Sequence, residues 1–123
     1  MTTLLTEGLS LKFTDNEFIV TLPDGREVIS PFTADTFPRL WHATPEERAC
    51  YETWRDEIHW PDLNEDVRIP DLLNGIDNSG ESKKSVAQWL AAIQEFRKSP
   101  YKGVQTFTEW DLGRQGLWRE TTP

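Results

Sequence analysis

Residues 9–32 carry the signal of β-strands: Leu9, Leu11 and Phe13 alternate with Ser10 and Lys12 at a period of two, the pattern of a strand that buries one face. The run 18–22 is aromatic and β-branched, and the tripeptide Pro23-Asp24-Gly25 after it is typical of a tight hairpin turn. Pro31 donates no hydrogen bond to a sheet, so the returning strand must end there or lie at an edge. The segment therefore predicts a three-stranded antiparallel meander with one packed face.

From residue 36 the apolar residues take the spacing of helices. Residues 36–41 predict a short helix with Pro38 in its first turn, where a missing N–H does no harm. The tetrapeptide Thr44-Pro45-Glu46-Glu47 is a capping box, in which the threonine and the second glutamate each accept a hydrogen bond from the other's backbone N–H. It predicts a helix that continues to about residue 56, with Cys50 and Trp54 as its buried stripe.

After this helix the pattern predicts extended chain at 58–63 and a short strand at 67–69. Residues 76–84 are linker-like, whereas the apolar residues within 85–98 are spaced three, four and seven apart, which predicts an amphipathic helix. The tail, 101–123, contains aromatic residues without a clean period and is expected to be irregular.

Together these elements predict an α+β protein, in which a small antiparallel sheet, formed by the meander and the later short strand, packs on the capped helix. We expect residues 1–78 to form a small acidic domain, and residues 79–123 to add the linker, the helix at about 85–98 and the aromatic tail. No apolar run approaches the roughly 20 residues of a membrane-spanning helix, and the first residues lack the pattern of an export signal. We therefore expect a cytoplasmic protein without a membrane association.

The net charge of −8 is unevenly distributed along the chain. Residues 1–78 contain 16 acidic and 6 basic side chains, whereas residues 79–123 contain 5 acidic and 7 basic ones. Nucleic-acid affinity comes mostly from cations that neutralise phosphates, so the first segment is poorly suited to binding DNA. Its negative charge favours a basic protein partner instead.

One cluster contains residue types that bind metals or transfer protons: His59 with Asp62, Glu65 and Asp66. No second histidine or cysteine lies at ligand spacing from it, so we favour a structural role in which His59 caps backbone groups and the acids form a solvated turn. The single cysteine, Cys50, lies on the predicted apolar helix face and is expected to be core rather than a nucleophile. We therefore predict no catalytic residue, no metal site and no cofactor.

The six tryptophans divide between predicted core and predicted contact surface, and Trp41 and Trp60 are compatible with either. Trp54 and Trp89 fall on apolar helical faces and are expected to be core. Trp110 and Trp118 stand beside charged residues, a mixture that binding hot spots favour, although burial in the protein's own core would suit these rings equally well. The predicted partner-binding residues combine aromatic side chains with the acidic turn: Trp41, Trp60, Asp62, Glu65, Asp66, Trp110 and Trp118.

Three motifs follow the hairpin in order: Phe37-Pro38-Arg39-Leu40, Ala43-Thr44-Pro45-Glu46-Glu47-Arg48 and Ile58-His59-Trp60-Pro61-Asp62-Leu63-Asn64-Glu65-Asp66-Val67. Together they resemble the bacterial domain-of-unknown-function family 2442 over about residues 9–75. The resemblance implies a small α+β domain with no established enzyme activity. Some members of that family resemble the N-terminal domain of small helix-turn-helix regulators, and others the presumed antitoxin beside a small toxin-like gene.

Three functions are consistent with these observations. The first is a non-enzymatic, antitoxin-like regulatory module that binds a basic protein encoded nearby. The second is a DNA-associated transcriptional regulator that contacts phosphates through basic residues of the segment 82–119, namely Lys83, Lys84, Arg97, Lys98 and Lys102. The third is a metal-dependent enzyme at His59. The sequence leaves the oligomeric state open.

Overall fold

The computed structural model describes residues 8–115, and its first sheet is the predicted meander. Strands β1 (Ser10–Phe13), β2 (Glu17–Thr21) and β3 (Glu27–Pro31) pair antiparallel in the order β1-β2-β3. Pro31 is the last residue of the edge strand β3, as its missing N–H requires. Gly25 lies in the turn before β3 with a φ angle of 90°, the left-handed region that favours glycine.

This first sheet packs one face on the core and leaves the other face to solvent. Phe18 and Val20 are fully buried, and Phe13 stacks on Phe18 with their ring centroids 4.7 Å apart. Ile29, on the opposite face, is 55% exposed. The first sheet therefore has the one packed face that the sequence predicted.

Two short helices follow, α1 (Pro38–Trp41) and α2 (Pro45–Ala49). The predicted capping box is confirmed: Thr44 Oγ1 accepts from the Glu47 N–H at 3.1 Å, and Glu47 Oε1 accepts from the Thr44 N–H at 2.8 Å. The predicted length of this helix is wrong, because α2 ends at Ala49. Cys50 is its C-cap and is exposed, so the prediction that Cys50 belongs to the core is also wrong.

The chain after Cys50 forms a β-hairpin where the helix was predicted to continue. Strand β4 (Glu52–Trp54) pairs with strand β5 (Glu57–Trp60). The turn between them includes Arg55 in the left-handed region, with a φ angle of 56°. Thr53 and Trp54 favour strands, and pairing with β5 gives them hydrogen bonds that override the helical spacing.

Strand β6 (Glu65–Arg68) completes a second sheet with the order β4-β5-β6. The single sheet predicted from the sequence is therefore two three-stranded sheets, whereas the predicted α+β class is confirmed. The solvated turn predicted for the acidic residues lies earlier in the chain, at 61–64. Asn64 makes the turn with a φ angle of 52°, and Glu65 and Asp66 already belong to β6.

Within residues 8–115 three further helices follow: α3 (Ile69–Leu73), α4 (Lys83–Arg97) and α5 (Phe107–Arg114). The helix α4 confirms the amphipathic helix predicted at about 85–98. The helix α5 contradicts the prediction of an irregular tail, because Thr106 and Glu109 form a second capping box. No helix within residues 8–115 is long and apolar enough to cross a membrane.

The last two helices pack on the same hydrophobic core as the strands. Trp89 and Phe107 are buried, and the Trp89 Nε1–H donates to the Leu63 carbonyl at 2.7 Å. Thr108 donates to the Pro61 carbonyl through both its N–H, at 3.0 Å, and its hydroxyl, at 2.7 Å. The loop between β5 and β6 is thus fixed by α4 and α5.

Candidate functional site

The solvent-facing side of the second sheet carries most of the charged side chains of its strands. Strand register places Glu52, His59 and Asp66 in one cross-strand row. A second row contains Trp54, Glu57 and Arg68. We call this surface the carboxylate face and define it by these six side chains: Glu52, Trp54, Glu57, His59, Asp66 and Arg68.

Charge on the carboxylate face is net negative when the residues of its β4–β5 turn are included. The four carboxylates are those of Glu52, Asp56, Glu57 and Asp66, and the two permanent cations are Arg55 and Arg68. Arg68 lies 3.2 Å from an oxygen of Asp56 and 4.0 Å from one of Glu57. Both contacts are solvent-exposed and hence weak, so the surface presents negative potential to an approaching macromolecule.

Trp54 is the most exposed tryptophan of the described chain, with 69% of its surface accessible. It lies on β4, an edge strand that pairs only with β5 among residues 8–115. The Arg55 guanidinium lies 5.6 Å from the centre of its ring, which is a cation–π contact. The prediction that Trp54 is core is therefore wrong, and its ring is available to a basic partner.

His59 contacts the carboxylate of Asp66 across the strands, rather than the backbone group that the sequence led us to expect. Its Nδ1 is 2.5 Å from Asp66 Oδ1, and both side chains are partly exposed. Within residues 8–115, no group of three or more histidine, cysteine, aspartate or glutamate side chains is arranged to hold a metal ion. His59 and Asp66 therefore form a cross-strand contact between β5 and β6 on the solvent-exposed face of the second sheet.

Two of the predicted partner-binding residues lie inside the protein, which corrects their assignment to a contact surface. Trp60 is fully buried, and its Nε1–H donates to the Arg48 carbonyl at 3.0 Å. Glu65 is only 9% exposed. Both residues lie on the inner side of the second sheet, directly opposite each other in the β5–β6 register.

The other predicted residues are dispersed. Trp41 is 39% exposed and packs against Phe32, whereas Trp110 is half-buried against Phe96 with ring centroids 5.4 Å apart. Asp62 is half-buried in the loop after β5, and Trp118 lies outside the described residues. Of the six that fall within residues 8–115, only Asp66 lies on the carboxylate face.

Sequence reasoning missed Glu52, Trp54 and Glu57 as members of one surface. The available signal was the β-branched and aromatic pair Thr53-Trp54, which favours a strand, and a strand puts side chains two residues apart on one face. The apparent helical spacing of Cys50 and Trp54 concealed it.

Comparison with known proteins yields a family and no individual relative. Residues 9–78, more than half of the chain, match the family described as "Protein of unknown function (DUF2442)". No curated protein matches the chain, and no solved structure does. The match contains both three-stranded sheets and helices α1 to α3, and hence the whole carboxylate face. The chain belongs to the DUF2442 family of proteins of unknown function.

Proposed function

We propose that this protein is a non-enzymatic, cytoplasmic binding module, antitoxin-like in role, whose carboxylate face binds a basic segment of a partner protein encoded nearby. The observation that carries this proposal is the 69% exposed Trp54 on an edge strand among four carboxylates. Aromatic residues are enriched at the centres of protein interfaces, and negative potential selects a basic partner.

The edge strand β4 gives the partner a backbone to pair with. Its outer N–H and C=O groups have no strand beside them among residues 8–115, so an extended segment of the partner can add a fourth strand to the second sheet. Lysine or arginine side chains on such a segment would reach Glu52 and Glu57. Arg55 already contacts Trp54 in the way that an arginine of the partner would.

The alternative of direct DNA binding has less support from the geometry. The 15-residue helix α4 is about 22 Å long, and it separates Lys83 and Lys84 at its start from Lys98 and Lys102 beyond its end. Arg97 is occupied by Glu47, with Nη2 2.7 Å from Oε1. These cations therefore form no continuous stripe along one helix face.

Co-purification tests the proposal directly. A tagged copy expressed in its own host should retain one basic protein in stoichiometric amount, and raising the salt from about 0.05 M to about 0.5 M should release it. Trp54→Ala should weaken the isolated complex at least about tenfold, because central aromatic residues dominate interface energies.

Charge-matched variants separate this face from the rest of the surface. The double change Glu52→Gln with Glu57→Gln should weaken the complex and reduce its salt dependence. The control, Glu17→Gln with Glu27→Gln, removes the same charge from the first sheet and should have no effect. Equal weakening by both pairs, or recovery of no stoichiometric protein, would contradict the proposal.

A further inference from the structure

The register of the β4–β5 hairpin fixes where the backbone groups of β4 point. Trp54 and Glu57 flank a two-residue turn and lie directly opposite each other, so each donates its N–H to the carbonyl of the other. Because bonded and non-bonded pairs alternate along an antiparallel ladder, the next pair, Thr53 with Ile58, exchanges no backbone hydrogen bond. The N–H and C=O of Thr53 therefore point away from β5, toward the open edge of the sheet.

Thr53 is the residue of β4 that offers both backbone groups to a further strand. It is solvent-exposed, and within residues 8–115 neither its N–H nor its C=O has a hydrogen-bond partner. Glu52 and Trp54, by contrast, use their N–H and C=O in the ladder with β5. A strand that pairs with β4 must therefore exchange its central hydrogen bonds with Thr53.

The partner residue that lies opposite Thr53 faces the inner side of the sheet. Residues directly opposite each other in an antiparallel pair point their side chains to the same face. Thr53 forms a cross-strand row with Ile58 and Val67, both of which are buried. A β-branched apolar residue suits the position beside Thr53, because it continues this inner row.

The two flanking partner residues face outward, on the side of the carboxylate face. In an antiparallel pair, the residue before the middle one lies opposite Trp54, and the residue after it lies opposite Glu52. Arginine suits the first position, because its planar guanidinium stacks on an indole and 69% of Trp54 is accessible. Lysine suits the second position, opposite the Glu52 carboxylate. The edge therefore selects an order of side chains as well as a charge.

Two other pairings at the second sheet are less favourable. The opposite edge, β6, is partly covered, since the Asn78 side-chain amide donates to the Asp66 carbonyl at 3.4 Å. Pairing of β4 with β4 of a second copy would bring two surfaces of net negative charge side by side. A basic segment at β4 avoids both obstacles.

We propose that the partner segment is an extended tripeptide of arginine, an apolar residue and lysine, in that order, which pairs antiparallel with β4 and exchanges both backbone hydrogen bonds of its middle residue with Thr53. This inference rests on the proposed function and specifies the chemistry of the segment that the carboxylate face binds.

The experiment uses the whole chain and capped pentapeptides of equal charge. The probe is acetyl-Gly-Arg-Val-Lys-Gly-amide. One control has a methyl group on the valine nitrogen, whose N–H would donate to the Thr53 carbonyl, and a second has it on the lysine nitrogen, whose N–H would point away from β4. The measurement is the chemical shift of the Thr53 amide proton, which moves downfield when the N–H donates to an acceptor.

We expect a saturable downfield shift with the probe. Methylation of the valine nitrogen should weaken binding at least about tenfold, because it removes one of two backbone hydrogen bonds, whereas methylation of the lysine nitrogen should leave the affinity unchanged. The reversed peptide, acetyl-Gly-Lys-Val-Arg-Gly-amide, should bind less tightly than the probe, because it places lysine opposite Trp54.

A variant of the protein tests the same hydrogen bonds from the other side. Thr53→Pro removes the outward N–H and leaves the β4–β5 ladder complete, since Thr53 donates nothing to β5. It should weaken binding of the probe at least about tenfold, as followed on the indole N–H signal of Trp54. The control, Thr53→Val, retains the backbone N–H and should bind the probe as the unaltered protein does.

The two methylated peptides keep the test decisive even if Thr53→Pro fails to fold. Equal affinity for both of them, a greater loss from methylation of the lysine nitrogen, or absence of a saturable Thr53 shift with the probe would overturn this pairing. If Trp54→Ala still weakens the complex with the natural partner, the proposed function stands without the pairing. If that complex is unaffected by Trp54→Ala, the proposed function itself fails.

Discussion

Arg97 and Glu47 form a two-pronged ion pair, with Arg97 Nη2 2.7 Å from Glu47 Oε1 and Nε 3.2 Å from Oε2. The same Glu47 oxygen, Oε1, accepts from the Thr44 N–H at 2.8 Å. One carboxylate therefore closes the capping box of α2 and fixes the last turn of α4 to it. Burial acts to raise the pKa of Glu47. The hydrogen bonds from Arg97 and Thr44 outweigh burial and lower this pKa below its ordinary value.

The first prediction follows from this double use of Glu47. Glu47→Gln should lower the free energy of unfolding by about 2 kcal/mol at neutral pH, because it weakens a partly buried charged contact and a cap together. The depressed pKa contributes stability that is present above the ordinary glutamate pKa and lost as pH falls through the folded-state value. The difference between variant and wild type should therefore shrink in acid, as measured by urea unfolding.

The control for that experiment is Glu46→Gln. Glu46 is exposed in the same first turn of α2, and among residues 8–115 it interacts with the helix dipole alone, so its loss should lower the free energy of unfolding by about a few tenths of a kcal/mol. Equal losses from the two variants would show that the contact with Arg97 contributes nothing.

The second prediction concerns Glu65, whose replacement should raise the free energy of unfolding rather than lower it. Its pKa is raised to about 7 in the folded protein, so folding becomes less favourable as pH rises from the unfolded value of 4.5 to about 7. Glu65→Gln removes this cost and should stabilise the protein by about 3 kcal/mol at about pH 8 and by less than about 1 kcal/mol at about pH 5. A pH series of urea unfolding curves measures the difference. Destabilisation at the higher pH would refute the burial of an ionisable Glu65.

The third prediction concerns Trp54, which the sequence assigned to the core, and Trp60, which it assigned to the contact surface. Trp60→Ala should lower the free energy of unfolding by about 3–5 kcal/mol, since the ring is fully buried and its Nε1–H donates to the Arg48 carbonyl. Trp54→Ala should change stability by less than about 1 kcal/mol, because its ring is mostly exposed. Thermal unfolding of both variants provides the comparison. A large loss from Trp54→Ala would contradict the assignment of this ring to a contact surface.

The fourth prediction addresses His59. His59→Ala should lower the free energy of unfolding by less than about 1 kcal/mol, because its contact with Asp66 lies on the solvent-exposed face of the second sheet. Elemental analysis of purified protein should find no stoichiometric metal that this substitution removes. A metal bound in unit ratio and lost in the variant would revive the reading of His59 as part of a metal-dependent enzyme.

The fold was predictable from the sequence where local signals and packing agree. The meander of β1 to β3 has an alternating first strand, β-branched and aromatic residues in the next strand and turn residues between them, and the capping box at Thr44 has a side-chain pattern with few alternatives. The helix α5 was missed although Thr106 and Glu109 repeat that capping pattern, because Gly113 and the scattered apolar residues obscured the helical period.

The candidate sites were harder to predict, for physical reasons. The side chains around Trp54 fit the spacing of a helix as well as that of a strand, and only the pairing of β4 with β5 selects the strand. Glu65 looked like part of a solvated turn, and the residues near it in the fold, Arg39, Asn78 and Glu81, are distant in sequence. A charged residue in a polar stretch gives no local sign that the fold will enclose it.

The hydrogen bonds from Trp89 to Leu63 and from Thr108 to Pro61 show that the family boundary is not a folding boundary. A fragment cut at residue 78 would keep every residue that matches the family, yet it would lose Trp89, Ile93, Phe96 and Phe107 from the centre of the molecule. Such a truncation should aggregate rather than fold, because it opens the apolar interior to water. Any expression of this module for partner binding must therefore retain α4 and α5.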